Sequence, residues 1–350
     1  MPRRYPRAVF LCCCLSLVTL VSGCGSGSNS TSPPFTRAYS FGLTGGVQDV
    51  TVSPTGDVVV LSVGAIERYA NRGQPGDETT TPNMTINAAA LTAAGLPAGS
   101  LHDCSIAVSP RNGDIYLSSG GSVTVFRSTG DFLFRFGHSI ENRGIASRGI
   151  AIDSTGNVYV VERGGTTGPD SRQYSGIAVF NAEGEYLRSL QGLEVPARLH
   201  EAGISTFTMD KHDNLYVIDR GTHVIPGDTY TAIDGTTKVA STDTYVRGTR
   251  KVSVYSSSGG HLHDIPLPFA IFDDNGYDYA VDASGNLYLS SVLFGSIKEY
   301  SPTGTLLATI DEFPSGVGAG ALSVDEQGTL YVSRGKVINS PRAVTAFRPN

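Results

Sequence analysis

The chain of 350 residues has no tryptophan, no cluster of lysine and arginine, and no apolar stretch long enough for a permanent membrane helix. The longest candidate, Ala8 to Val21, falls short of the ~20 apolar residues that span a bilayer comfortably. A formal net charge of −6 without a basic patch repels polyphosphate and excludes nucleic acid as a partner. Gly-x-Ser-x-Gly, His-Glu-x-x-His and a glycine-rich phosphate loop ahead of a helix are all missing, so the common nucleophilic, zincin and nucleotide-binding chemistries have no foothold. What the chain has in quantity is glycine, 42 residues, with 40% hydrophobic residues. That balance fits an all-β globular chain with many tight turns rather than a helical bundle or a disordered polymer.

The N-terminus has its own organisation. Arg3, Arg4 and Arg7 form a charged region, the apolar run follows, and the small residues Ser22 and Gly23 precede Cys24. Residues 1–23 are expected to be a signal peptide. The segment Leu20-Val21-Ser22-Gly23-Cys24 resembles the bacterial lipobox, which implies that Cys24 is the lipidated first residue of the mature chain. Two acyl chains hold a protein stably, since each buried CH2 contributes about 0.8 kcal/mol. Cleavage would remove Cys12, Cys13 and Cys14 and lipidation would consume Cys24, leaving Cys104 alone with no intrachain disulfide, most simply as a buried thiol. Residues 24–34, rich in Gly, Ser and Pro, are expected to form a flexible tether. The implied location is the cell envelope, on the periplasmic or extracellular side of a bacterial membrane.

From residue 35 onward the chain repeats itself. GIAIDSTGNVYV (149–160), FTMDKHDNLYVI (207–218), YAVDASGNLYLS (279–290) and LSVDEQGTLYVS (322–333) share one pattern, and VTVSPTGDVVV (50–60) and IAVSPRNGDIYL (106–117) are looser copies. Alternating apolar residues such as Ile150/Ile152 and Val158/Val160 mark two half-buried strands around a polar reversal, which makes each copy a β-hairpin. A tyrosine follows the turn in five copies, at Tyr116, Tyr159, Tyr216, Tyr288 and Tyr331, with Val59 in the first; it is expected between sheets with its hydroxyl near water. A second strand pair follows in four repeats, around Gly130, Gly184, Gly260 and Gly304. The unit is therefore four strands, and the interval from Gly285 to Gly328 suits a propeller blade.

These hairpins, followed by a strand ending near Val-Phe and a glycine turn, resemble NHL repeats. The resemblance covers nearly all of residues 35–350 and implies a six-bladed β-propeller. Two copies depart from it, with an extra turn residue at Arg111-Asn112 and with Asp213 in the glycine place. Because the last copy ends one strand short at Ala343 to Asn350, while Thr36 to Phe41 stands before the first hairpin, the N-terminal strand is expected to complete the last blade and close the ring.

Positions just ahead of the inner strands should rim one mouth of the central channel. They are Asp49, His102, Asp103, Arg148, Ser205 and Asp278. Asp49, Asp103 and Asp278 could hold Ca2+ or another divalent cation, since carboxylate oxygens suit hard ions; the alternative is a solvated rim whose charges pair among themselves. Only His102 and His200 precede inner strands, fewer than the three protein ligands of a catalytic zinc site. Two long insertions, Gly164 to Ser175 and Gly221 to Arg250, depart from the bare scaffold, and loops of that kind are functional or disordered. Two functions fit. One is a monomeric envelope-anchored binding or scaffolding propeller, presenting loops and channel mouth to a protein, glycan or small ligand. The other, implied by related six-bladed enzymes, is a metal-dependent lyase or lactonase with its site at the channel.

Overall fold

A computed structural model describes residues 35–43, 46–70, 81–96, 101, 104–137, 144–163, 175–195, 207–219, 222–225, 229–231, 237–239, 244–247, 251–267, 278–290, 295–311, 319–334 and 343–350. Six four-stranded antiparallel sheets form a ring. Their inner strands are Val47–Val52, Ser105–Val108, Gly144–Ile152, Phe207–Met209, Tyr279–Val281 and Ala319–Val324, in blades 1 to 6. Each packs beside the next, and the inner strand of blade 6 returns to that of blade 1. The sixth sheet is completed by Phe35–Gly42, which pairs antiparallel with Ala343–Pro349, so that Phe35 lies opposite Pro349 and Gly42 opposite Ala343. The expected closure by the N-terminal strand is what the register shows.

The apolar residues are divided among six clusters, one at each contact between successive blades, with no single central core. This division follows from the period-2 pattern of the inner strands. In blade 3, Ile150 joins the cluster with blade 2 whereas Ala151 joins the cluster with blade 4. The middle position is held by a small residue in every blade (Thr51, Ala107, Ala151, Thr208, Ala280, Ser323), which in blades 2 to 6 leaves room for the tyrosine opposite it on the second strand; Thr51 faces Val59. Those tyrosines fill the contacts to the following blade, and Tyr159 and Tyr331 are fully buried. Four of the hydroxyls are bonded within the protein and do not face water as the sequence pattern suggests. Tyr159, Tyr216, Tyr288 and Tyr331 donate to the carboxylates of Asp153, Asp210, Asp282 and Asp325 at 3.1, 3.2, 3.3 and 3.1 Å.

The same aspartates build the turns. Asp153 Oδ1 accepts the main-chain N–H groups of Thr155 and Asn157 at 3.0 and 2.8 Å, and its Oδ2 accepts the Asn157 amide at 2.9 Å. One carboxylate thus satisfies the inside of the reversal and anchors the tyrosine of the next strand. Such a turn needs a left-handed residue one place before its last. Glycine supplies it in five blades, and in blade 4 Asp213 takes φ 63°. In the outer hairpin of blade 4 it is Gly259, at φ 89°, and not Gly260 that turns the chain.

Two elements lie beyond the repeat pattern. A short helix, Ala88–Ala93, is capped by Asn87, whose side chain accepts the Ala90 N–H at 3.0 Å, and it buries Leu91 between blades 1 and 2. The insertion Gly221 to Arg250 contains two nested strand pairs, Thr222–Ile225 with Thr244–Arg247 and Thr229–Thr231 with Thr237–Val239. Cys104 is buried in the cluster between blades 1 and 2.

Candidate functional site: the central channel

Because the blades are antiparallel, every inner strand begins on one face of the ring and ends on the other in a tight turn. Neighbouring starts bond to each other and so do neighbouring turns. Asp49 Oδ2 accepts the Ile106 N–H at 2.9 Å, Ser105 Oγ accepts the Gly149 N–H at 3.2 Å, and Asp278 Oδ2 accepts the Leu322 N–H at 2.7 Å. On the opposite face Ser154 donates its N–H and hydroxyl to Asp213, both at 2.7 Å, and Arg111 donates to the Thr155 carbonyl at 2.9 Å. The ring therefore has a turn face, made of short reversals except for the link of residues 70–83 between the third and fourth strands of blade 1, and a loop face. The links from second to third strand, including Gly221 to Arg250, and the links from one blade to the next all belong to the loop face.

The six inner strands enclose a cavity of about 220 Å³. Its wall includes Asp49, Asp278, Ser105, Thr51, Thr208 and Ser323. Inner strands offer their free edges to this space, so main-chain N–H and C=O groups add to its polarity. Such a channel suits water, an ion or a small polar group better than an apolar ligand.

Of the residues expected at the mouth, Asp49 and Asp278 are half-buried and line the cavity at the loop-face end of blades 1 and 5. Each spends oxygens on the start of the next blade's inner strand, and Asp49 Oδ1 also accepts the Val50 N–H at 2.8 Å. His102, Asp103 and Ser205 lie outside the described residues; Arg148 is in the inner strand of blade 3 and its side chain is outside the description. Among the described residues no group of three His, Cys, Asp or Glu side chains is gathered as a metal site.

Perturbed groups lie away from the channel. The Tyr288 hydroxyl stands between Asp282 at 3.3 Å and Glu299 at 3.1 Å. Burial, with the Asp282 charge adding to it, pushes the Glu299 carboxyl above its ordinary range, although the Tyr288 hydrogen bond works the other way. Burial and then the charge of Asp153 push the Tyr159 hydroxyl up to about 12. On the outer strand of blade 4 partial burial would raise Asp264, but hydrogen bonds from His261, Lys251 and Ser253 outweigh it and hold the carboxyl at about 2. The role of the turn aspartates was within reach of the sequence, since an Asp stands three residues before the left-handed position in four copies. The Ser105 and Asp278 bridges between blades carry no such periodic signal.

No protein-family model matches the chain, and no curated protein does either. Among solved structures, that of streptogramin B lyase aligns with a TM-score of 0.50 over 90% of this chain and 98% of that one, at 12% sequence identity. The likeness is one of fold, and the shared fold is the six-bladed ring.

Proposed function

We propose that the protein is a lipid-anchored binding module of the cell envelope, held through Cys24 by the tether 24–34 and offering its loop face and channel mouth to a protein, glycan or small polar ligand. The observation that carries this reading is the asymmetry of the ring. One face consists of short, internally satisfied turns apart from the link of residues 70–83 in blade 1; the other carries the links from second to third strand and from blade to blade, the strand pairs of the insertion, and the channel mouth with Asp49 and Asp278. Binding residues concentrate on loops held by a rigid scaffold. The test is capture of purified envelope glycans and proteins by the intact chain and by a chain lacking Gly221 to Arg250. Loss of capture with an unchanged unfolding transition supports the reading; unchanged capture removes that insertion from it.

A metal-dependent lyase or lactonase with its site in the channel is the second reading, favoured by the two carboxylates on the cavity wall. The fold likeness to streptogramin B lyase supports the ring as a scaffold able to carry such chemistry, and fold by itself transfers no activity. Elemental analysis decides between the readings. A stoichiometric divalent ion that is lost in Asp49→Ala and Asp278→Ala favours the enzyme; metal-free protein with intact ligand capture favours the binding module.

A further inference from the structure

Every large hydrophobic side chain that is exposed among the described residues lies at one end of the molecule. They are Phe132, Tyr186, Leu187, Leu262, Leu306 and Leu307, between 40% and 51% exposed. All are the first or second residue of a fourth strand, in blades 2 to 5, directly after an outer turn. The registers account for the three exposed leucines at the second position, Leu187, Leu262 and Leu307. Phe126 pairs with Phe132 and Val125 with Phe134, which leaves Leu133 as an extra residue; Leu187, Leu262 and Leu307 are the extra residues of blades 3, 4 and 5 in the same way. Four consecutive blades thus put a leucine on a β-bulge at the same place, and a bulge re-aims the side chain it carries. Leu133 is half-buried and the other three are exposed.

The outer turns open onto the turn face, because the third strand that precedes each of them ends opposite the beginning of the second, as Phe126 does opposite Ile115. Phe35 enters the ring at this same end. It pairs with Pro349, two residues beyond Phe347, which lies opposite Leu330, the first residue after the inner turn of blade 6. Its ring packs edge-on against Tyr288, 6.0 Å between centroids, beside the turn of blade 5. The chain from Cys24 to Phe35 can span at most about 40 Å when fully extended, and as a Gly/Ser-rich coil about 20 Å.

From this coincidence we propose that the turn face docks on the lipid bilayer, with the leucine belt of blades 2 to 5 in the interface, so that the channel mouth and the Gly221 to Arg250 insertion face away from the membrane. The proposal rests on the lipid anchor at Cys24. A leash that joins the ring on the turn face keeps that face nearest the membrane; the opposite orientation would require the tether to run up the outside of the ring before it reached the bilayer. The turns between the leucines contain Asp114, Asp131, Glu183, Glu185 and Asp213 against Arg111, Arg127 and Lys211, among serine, threonine and glycine. Without a basic excess there is no attraction to anionic lipid, so apolar burial and not charge drives the contact, and the occupant it fits is a zwitterionic phospholipid surface.

The test uses the full lipidated chain reconstituted in phosphatidylcholine vesicles, with an environment-sensitive dye on a cysteine introduced either by Thr129→Cys on the turn face or by Gly64→Cys on the loop face. Quenching by an aqueous quencher is expected to be several-fold weaker at position 129 than at position 64. Adding Leu187→Ser, Leu262→Ser and Leu307→Ser should abolish the difference while the protein still sediments with the vesicles, and vesicles with added phosphatidylglycerol should not enlarge it. Equal quenching at both positions, or protection that survives the leucine replacements, overturns the proposal. Protection that appears only in native membranes and not in protein-free vesicles also overturns it and assigns the belt to a protein. The mass of the Cys24 peptide reports on the anchor separately: acylated Cys24 with equal quenching defeats the orientation alone, and unmodified Cys24 defeats both.

Discussion

At Tyr288 a hydroxyl with one proton stands between two carboxylates, Asp282 and Glu299. It can donate to only one of them at a time, so the other oxygen pair is relieved when Glu299 holds a proton. That agrees with the direction in which burial and Asp282 move Glu299, and the sign of its effect on stability follows. A carboxyl whose folded-state pKa is raised binds its proton more tightly in the folded state. Its contribution is complete below the unfolded value and is lost as pH rises through the folded one. Glu299→Gln keeps the polar contact to Tyr288 and removes the charge. The variant should gain stability relative to the parent as pH rises from the acid side of the glutamate range toward neutrality, with no gain at the acid end. Urea midpoints across that range check this; a gain that is independent of pH would contradict it.

The inner turn of blade 4 shows how one element combines a conformational demand with a contact. Its left-handed residue is Asp213, where the other blades have glycine. Aspartate tolerates this region better than most residues, and here its carboxylate accepts two hydrogen bonds from Ser154 of blade 3. Asp213→Gly loses the bonds but relaxes the backbone, so it should cost no more than about 1 kcal/mol. Asp213→Ala loses the bonds and keeps the strain, and it should be about 1 kcal/mol worse than the glycine variant. Chemical unfolding of the two side by side separates these contributions; equal costs would mean that the left-handed conformation imposes no penalty. The strand pattern, the hairpins and the place of this substitution were legible from the sequence, because alternation and turn chemistry are local. The leucine bulges were not. A leucine near the start of an apolar strand looks like any other core residue until the pairing shows that it is the unpaired one.

For the whole molecule, the decisive contact is the one between its two ends. Phe35–Gly42 covers the edge of Ala343–Pro349, and Tyr39 packs on Tyr331 at 6.5 Å between ring centroids. Removing residues 25–42 would uncover that strand edge and part of the clusters on both sides of blade 6, whereas removing residues 25–34 would keep Phe35–Gly42 in place. The shorter deletion should unfold in one transition like the parent. The longer one should unfold early and broadly and self-associate, as calorimetry and size-exclusion chromatography would show. An unchanged transition after the longer deletion would mean that the ring does not depend on this strand.

The six hairpin copies, the polar reversals and the spare N-terminal strand are in the sequence, and they determined the blade count and the closure. Each depends on residues close along the chain or on simple counting. Which groups meet across blades was decided only by the tertiary structure. Asp49 reaching Ile106, Asp278 reaching Leu322, and Phe35 entering on the same face as the exposed leucines all join residues far apart in sequence. Their partners are set by how wedge-shaped sheets pack around an axis, and a repeat pattern specifies that the sheets recur without specifying what each one touches.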